Sequence, residues 1–551
     1  MKRRQRDVVK ILRGRDILTW AAIAGGLQER DIAPSVMRFL HEPPEDRVGV
    51  LFGLRRTGKT TILRHTALHL PAEELERTAV LFVEDDDSAA WAEKAFEALK
   101  NEHCLHVFVD EFTKLRGYRT IAQTLSDMYA GVGMKILLSG THSLGFRQLE
   151  REEWFDRARR FPTTHIPFAE WNRLVPEASM ESYMRHGGIL SPMQGRKGRG
   201  FTASNMIATY VDTAVCDNIL HALQAEDRQY RYPLLREMLR RGKLEAAIRN
   251  VVLDEAHRIF PVAFMQEESL PSEGEQFCNA ILDAVEIQAG AKISPLDRRE
   301  LKAKAAKAVG FSLLEGLADE AMQDEVRGFL EDMDLLSPLR FKILYPPFRA
   351  NEAVTSARHA AKLEQRAAMR LESLEEAYSG YHLMPQPGLR ISIIIQILNA
   401  LAEDNRILSM FSAMDEATKY FDKVMSSIYG HMLEEIVMCD IGKVAERTGR
   451  ETFKVFFKNG EYDMVVRDTE TKECGIYEIK HEQCINVDAC AVHLLDAEKA
   501  ALFEAAGNRI ASRTVLYRGS REMEAGGVQC RNVEHFLKEA TYGSLDPVTG
   551  R

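Results

Sequence analysis

Little in this sequence could staple the chain together or carry it through a bilayer. Its eight cysteines (Cys104, Cys216, Cys278, Cys439, Cys474, Cys484, Cys490 and Cys530) are scattered over 551 residues and form no CxxC pair. That spacing excludes a disulfide scaffold and reads as reduced thiols in a cytosolic chain. No apolar run reaches the roughly 18 residues needed to span a membrane, so no membrane partner is expected. Internal repeats and low-complexity linkers are missing as well, which leaves the domain boundaries soft. Nor is positive charge in excess: a formal net charge of −9 argues against a general nucleic-acid coat. A local basic groove stays open, because steering depends on how charge is distributed.

What is present fits a soluble globular protein, with 45% hydrophobic and 28% charged residues. The length is too great for one core and suggests three or four domains. The opening "MKRRQRDVVKILRGR" holds seven Lys/Arg against one Asp. It reads as a solvated, partly helical face, with a phosphate-contacting arm as the alternative. The apolar "ILTWAAIAGGL" that follows is short, begins after Asp16 and lacks a small-residue cleavage site, so secretion is not expected.

Residues 47–172 alternate short apolar runs with amphipathic segments. "RVGVLFG" (47–53), "AVLFV" (79–83), "LHVFVD" (105–110) and "MKILLSG" (134–140) are the strands expected of a parallel sheet buried on both faces. Residues 173–420 turn mainly helical, and from 421 to 551 strands and helices mix again. The expected class is therefore α/β, with a basic N-terminal helical segment over 1–46, a P-loop sheet, a helical middle region and a C-terminal α/β domain.

"GLRRTGKT" matches the phosphate-cradling pattern G-x-x-x-x-G-K-[ST] at a strand-to-helix junction. Gly53 and Gly58 would let the loop Leu54–Arg55–Arg56–Thr57 wrap phosphate oxygens, and the helix beginning near Thr61 would add its N-terminal dipole. Lys59 would reach the β and γ phosphates of ATP, and Thr60 would coordinate Mg²⁺. "HVFVDE" supplies the partner acids. Asp110 would hold the Mg²⁺ through its hydration shell, and Glu111 would orient and deprotonate the attacking water, which predicts hydrolysis as well as binding. The run "AVLFV" between the two motifs points to ATPases with an additional central strand. Ser139 ends the fourth strand, as a phosphate or water sensor or as a neutral cap.

Two further motifs are set aside. "VVLDEAHRIF" (251–260) spells a helicase-like box, but its apolar residues recur at steps of three and four, so it reads as a helix surface. His481, Cys484, Cys490 and His493 have zinc-ligand chemistry without a known finger spacing, and one apolar helix face explains Cys490 and His493.

Near the C-terminus, "EYDMVVR" and "GIYEIK" read as two strands joined by a polar turn. Alternation puts Glu478 and Lys480 on one face, with Tyr477 and Ile479 on the other, and sets Asp463 opposite Met464. Asp463 and Glu478 could bind Mg²⁺, with Lys480 positioning a water or stabilising phosphoryl charge. An exposed polar hairpin face is the competing reading.

The motif order "GLRRTGKTTILRH", "HVFVDE", "ILLSGTHS", "RARRFPTTHIPFAEW", "YMRHGGIL" resembles a group of bacterial and archaeal AAA-type ATPases. Members of that group carry a PD-(D/E)XK nuclease-like domain at the C-terminus. The resemblance implies a γ-phosphate or trans-acting role for Arg159, before a "PFAE" strand. It makes "MPQPGLR" (384–390) a strand-like element and "YGHMLEEIV" the first helix of the nuclease-like domain. Glu434 on that helix would complete the metal ligands, and "SRTVLYRG" would be the next strand. "VRGFLEDMDLLSPLRFKILYPP" suggests a winged helix or a plain helical lid. The implied function is ATP hydrolysis coupled to Mg²⁺-dependent action on DNA. The alternative is an ATP-driven switch whose last domain binds protein or nucleic acid without cutting. A finger-like Arg159 points to a homo-oligomer.

Overall fold

The computed structural model describes residues 10–43, 45–176, 178–190, 204–225, 231–257, 276–312, 320–344, 378–457 and 460–550. Two sheets organise them. The first has six strands: β1 (Ile11–Arg13), β2 (Val48–Phe52), β3 (Thr78–Phe82), β4 (His106–Asp110), β5 (Lys135–Ser139) and β6 (Ala158–Pro162). Their spatial order is β1-β3-β4-β5-β2-β6, parallel throughout except for β1. Every residue of β2, β4 and β5 is buried. Alternate residues feed two cores: Val50, Val107 and Leu138 on one face, and Leu51, Phe108 and Leu137 on the other. That two-sided burial is why these strands read as continuous apolar runs.

Two sequence expectations change here. The strand lying beside the P-loop strand β2 and separating it from β4 is β5, not "AVLFV"; β3 sits on the far side of β4. The N-terminal segment is not a separate helical piece either. Ile11–Arg13 pairs with the edge of β3, Ile11 opposite Leu81, and helices Asp16–Ala21 and Ala33–His41 bury Ile17, Val36 and Phe39 in the sheet's core. Apolar side chains at those positions outweigh the surrounding charge. The basic residues 1–9 lie outside the described residues.

The second sheet has eight strands in the order β13-β14-β12-β11-β10-β9-β7-β8. These are β7 (Ser337–Leu344), β8 (Tyr378–Leu383), β9 (Arg450–Phe457), β10 (Glu461–Asp468), β11 (Glu473–Lys480), β12 (Arg509–Tyr517), β13 (Met523–Ala525) and β14 (Val528–Asn532). β9, β10 and β11 are antiparallel neighbours, and β12 and β14 continue the sheet in parallel from β11. A 34-residue helix, Met414–Arg447, packs against β9, β10 and β11.

The helical middle region contributes to this sheet. Helix Glu320–Asp332 is followed by the antiparallel pair β7 and β8, but β7 also pairs in parallel with β9, so the strand pair is not a free wing. The end of that motif, Tyr345–Pro347, lies outside the described residues. "MPQPGLR" is not strand-like: Pro387 stands in the first turn of helix Pro387–Ala402, where its missing N–H costs nothing. "VVLDEAH" is helical as expected, within Leu244–His257, yet it is not a surface. Glu255 is fully buried, paired with Arg327 at 2.8 Å and with His382 at 3.2 Å; the last three residues of that motif lie outside the described residues. Among the described residues no helix is long and apolar enough to cross a membrane.

Candidate functional sites

The loop between β2 and helix Lys59–His69 takes a shape open only to small residues at two points. Gly53 has φ +150°, and a Cβ there would stand 2.2 Å from Thr163 Oγ1. Gly58 is left-handed at φ +87° and starts the helix. Lys59 is 9% exposed, and its ammonium donates to the carbonyls of Gly53 and Leu54 at 2.7 Å each. Burial pulls its pKa down to about 8, against the opposing pull of Glu111 and Asp110. Thr61 is half-buried in the first turn of the helix.

Thr60 Oγ1 donates to Asp110 Oδ2 at 3.0 Å, and Ser139 Oγ also donates to Asp110. The P-loop hydroxyl, the strand-end acid and the neighbouring strand's serine therefore meet at one point. Burial raises the Asp110 pKa, partly opposed by the Ser139 hydrogen bond. Hydroxyl and carboxylate oxygens at this spacing suit a hard divalent cation. Glu111 adopts φ +63°, a left-handed conformation that costs a non-glycine residue about 1–2 kcal/mol. Its carboxylate is held by the Thr141 backbone N–H at 3.0 Å and the Thr141 hydroxyl at 2.7 Å. Thr141 follows directly on the "ILLSG" strand and was not singled out from the sequence.

Arg159 does not approach this site within one chain. The β2–β6 register pairs it with Gly49, four residues before Gly53, and its side chain is exposed on an edge strand. A γ-phosphate contact in the same chain is thus excluded by position. Arg157 pairs with Asp46 and Asp127, and Arg160 lies over the Phe52 ring at 5.0 Å. The "PFAE" segment forms helix Phe168–Leu174 and not a strand.

Sequence reasoning also missed the shell that clamps the loop. Arg30, 4% exposed, donates to Glu170 at 2.5 Å and to the carbonyls of Thr57 and Thr163. Thr57 Oγ1 meets Thr163 Oγ1 at 2.8 Å, and Leu54 N–H donates to Thr164 Oγ1 at 3.2 Å. The Arg55 carbonyl accepts from Tyr210 at 3.4 Å, and the Arg56 carbonyl accepts from Leu190 N–H at 2.7 Å. One residue beyond Thr164, His165 Nε2 meets Asp440 Oδ1 at 2.9 Å, and Phe168 N–H donates to Asp440 Oδ2 at 2.8 Å. Asp440 belongs to the long helix that carries Glu434. No local spacing marks these partners, because they come from remote parts of the chain.

At the second sheet, Asp463 and Glu478 are 3% and 4% exposed, so they are not the rim of an exposed hairpin. A β-bulge interrupts the β9–β10 register between Tyr462 and Val465. Tyr462 and Val465 belong to one core and Met464 to the other, so the alternation that set Asp463 opposite Met464 breaks at this point. Asp463 comes together with Glu434 of the long helix and Glu461 of its own strand, with one carboxylate oxygen from each within 4.8 Å of the others. Its Oδ2 accepts the Ile479 N–H at 2.7 Å.

Glu478 is not part of that trio. It pairs with Lys480 at 2.6 Å, beside Asp463. Burial, then Glu434 and Glu478, push the Asp463 pKa well above the carboxylate range. Burial alone would lower the Lys480 pKa, but Asp463 and Glu478 raise it. The other resident of the trio is Lys454 on β9, 6% exposed, at 2.9 Å from Glu434 and 3.0 Å from Glu461. Burial would raise the Glu434 pKa, yet Lys454 and His431 hold it near 2. Glu461 and Lys454 were not expected; a second acid two residues before Asp463 was the available signal.

The zinc candidates do not converge. His481 meets Arg518 at 2.9 Å and stacks on Tyr429, while His493 meets Lys499 at 3.0 Å. Cys484 is exposed; on helix Val487–Leu495, Ala491 and Leu494 are buried and Cys490 packs partly buried against the same core, as an apolar face requires, while His493 is exposed.

Residues 45–172 match the AAA domain family. No curated protein matches the sequence. Among solved structures, similarity extends to C. elegans PCH-2, at 14% identity and TM-score 0.20, covering 39% of this chain and 62% of that one. It extends to the S. cerevisiae Hsp104:casein complex, at 12% identity and TM-score 0.26, covering 92% and 97%. The Aeropyrum pernix ORC1 protein in complex with DNA gives 12% identity and TM-score 0.21, covering 73% and 99%. These scores lie below the level at which a shared fold follows. The family match coincides with the β2 loop, the β4 acids and the β5 strand end, and on that ground residues 45–172 are an AAA-type P-loop ATPase domain.

Proposed function

We propose that this chain couples ATP hydrolysis to a metal-dependent nuclease-like site acting on DNA. The observation that carries the second half is the meeting of Asp463, Glu434 and Glu461, with the Glu478–Lys480 pair beside them, on strands of alternating direction. In the ATPase domain, Lys59 and the loop N–H groups would hold the phosphates. Glu111, fixed by Thr141, would take a proton from the attacking water. Thr60 and Asp110 would hold Mg²⁺, whose charge offsets that of the β and γ phosphates.

At the second site, Asp463 and Glu478 would supply oxygen ligands to a divalent cation that polarises the scissile phosphate. Lys480 would stabilise phosphoryl charge. The His165–Asp440 contact supports coupling, since it ties the segment behind the P-loop to the helix bearing Glu434. Arg159, exposed on an edge strand, is available to a neighbouring copy in a homo-oligomer.

The test is DNA cleavage. Linear and single-stranded DNA would be incubated with Mg²⁺ or Mn²⁺, comparing the wild type with Lys480→Ala. Loss of cleavage in the variant supports the reading, and equal cleavage by both sinks it. One observation favours the second reading, a switch that binds without cutting: Lys454 already neutralises part of the acidic group. DNA retention without cleavage by either protein would select it.

A further inference from the structure

We propose that Lys454 is the resident cation of the acidic group, filling the place between Glu434 and Glu461 and leaving room for one exchangeable divalent ion on Asp463 and Glu478. This rests on the metal-site reading above and narrows it. Glu434, taken from the sequence as a metal ligand, becomes a partner of Lys454 instead.

Three observations carry the inference. Lys454 is 6% exposed, and its ammonium contacts two of the three grouped carboxylates, at 2.9 and 3.0 Å. A buried ammonium so placed is fixed, because stripping it of its partners would leave uncompensated charge. Lys454 gets there by strand alternation: its neighbours Phe453 and Val455 face the opposite core, which turns the lysine toward the long helix. Finally, the charges match one ion. Once a bound cation displaces the proton from Asp463, four carboxylates (Glu434, Glu461, Asp463, Glu478) face two ammoniums (Lys454, Lys480), and the two negative charges left equal one divalent cation. The oxygen-only donor set suits a hard ion such as Mg²⁺ or Mn²⁺.

Lys454 is thus a positioning residue that sets how many metal ions the site accepts. The experiment is Mn²⁺ binding to the nucleotide-free full-length chain, counted by electron paramagnetic resonance and calorimetry, with Asp110→Asn as the common background of every protein compared, the wild type included, so that the Thr60–Asp110 oxygens add no ion to the count. The wild type should take one ion per chain, and Asp463→Asn none. Lys454→Met should admit a second ion, and Lys454→Arg should keep the count at one. Glu461→Gln, a milder change should Lys454→Met fail to fold, should alter Mn²⁺ affinity by less than about the tenfold typical of losing a metal-site partner. Two ions in the wild type, one ion in Lys454→Met, or a tenfold or greater loss in Glu461→Gln would each overturn the role of Lys454 while leaving a metal site in place. No ion in either the wild type or Asp463→Asn would overturn the metal-site reading itself.

Discussion

The two polar sites of this protein are assembled in opposite ways. At the ATPase site, eight consecutive residues from Gly53 to Thr60 form the phosphate loop, and one neighbouring strand end supplies Asp110 and Glu111. At the second sheet, the acidic group draws Glu434 from a helix, Glu461 and Asp463 from β10 and Glu478 from β11, with a buried lysine from β9 between Glu434 and Glu461. A site carried by a local loop survives small shifts in packing, because the backbone itself makes the cradle. A site made of side chains on separate elements depends on register, and here on one bulge between Tyr462 and Val465.

That contrast can be broken or sharpened experimentally. The largest effect is expected at the local site. Lys59→Ala, which removes the charge that holds the phosphates, and Glu111→Gln, which removes the base, should each lower ATP turnover by at least about a hundredfold. Turnover at the wild-type rate in both would remove the assignment of this loop as the hydrolytic site.

A smaller effect is expected at the joint between the sites. Asp440→Ala leaves the His165 imidazole and the Phe168 N–H without their partner. It should cost about 1–3 kcal/mol of stability, read from denaturant melts, and weaken any dependence of ATP turnover on DNA. An unchanged melt and unchanged stimulation would show that the two regions work independently.

A pH effect follows from Lys59, whose pKa burial lowers to about 8. Nucleotide phosphates should recharge it, so ATP binding near pH 8–9 should take up protons, measurable by calorimetry in buffers of different ionisation heat. The uptake should vanish near pH 6.5 and in Lys59→Arg. The sign for stability is set by a folded pKa below the unfolded one. The nucleotide-free protein carries the full penalty of the buried ammonium below pH 8 and gains stability as pH rises towards 10.5.

The smallest effect concerns the discarded zinc set. His493→Ala should change stability by less than about 1 kcal/mol, and a zinc-selective chelator should not shift the melt, since His493 meets only Lys499 among the described residues.

The P-loop was legible because its chemistry is contiguous and its flanking strand is buried on both faces, which writes an unbroken apolar run into the sequence. Glu478 and Lys480 were legible as a pattern, since alternation is a local rule, whereas the facing of Asp463 was not, because the bulge beside it breaks that rule. What local rules could not supply was Glu461 as a third carboxylate, Lys454 as its counter-ion, or Arg30 behind the phosphate loop. The "PFAE" and "MPQPGLR" segments were misread for a related reason. Pro167 and Pro387 begin helices here, and a proline serves equally well at a helix start and in an extended segment.

By itself the sequence determined the phosphate loop, its acidic pair, the parallel strands around them and the candidate carboxylates of the C-terminal strands. Each of these is a matter of spacing within a few residues. Only the tertiary structure decided that β5 and not β3 separates the two ATPase motifs, that β7 joins the second sheet, and that a lysine stands among the acids. Those outcomes depend on strand order and register, which are set by how whole faces bury against one another and leave no mark at any single position.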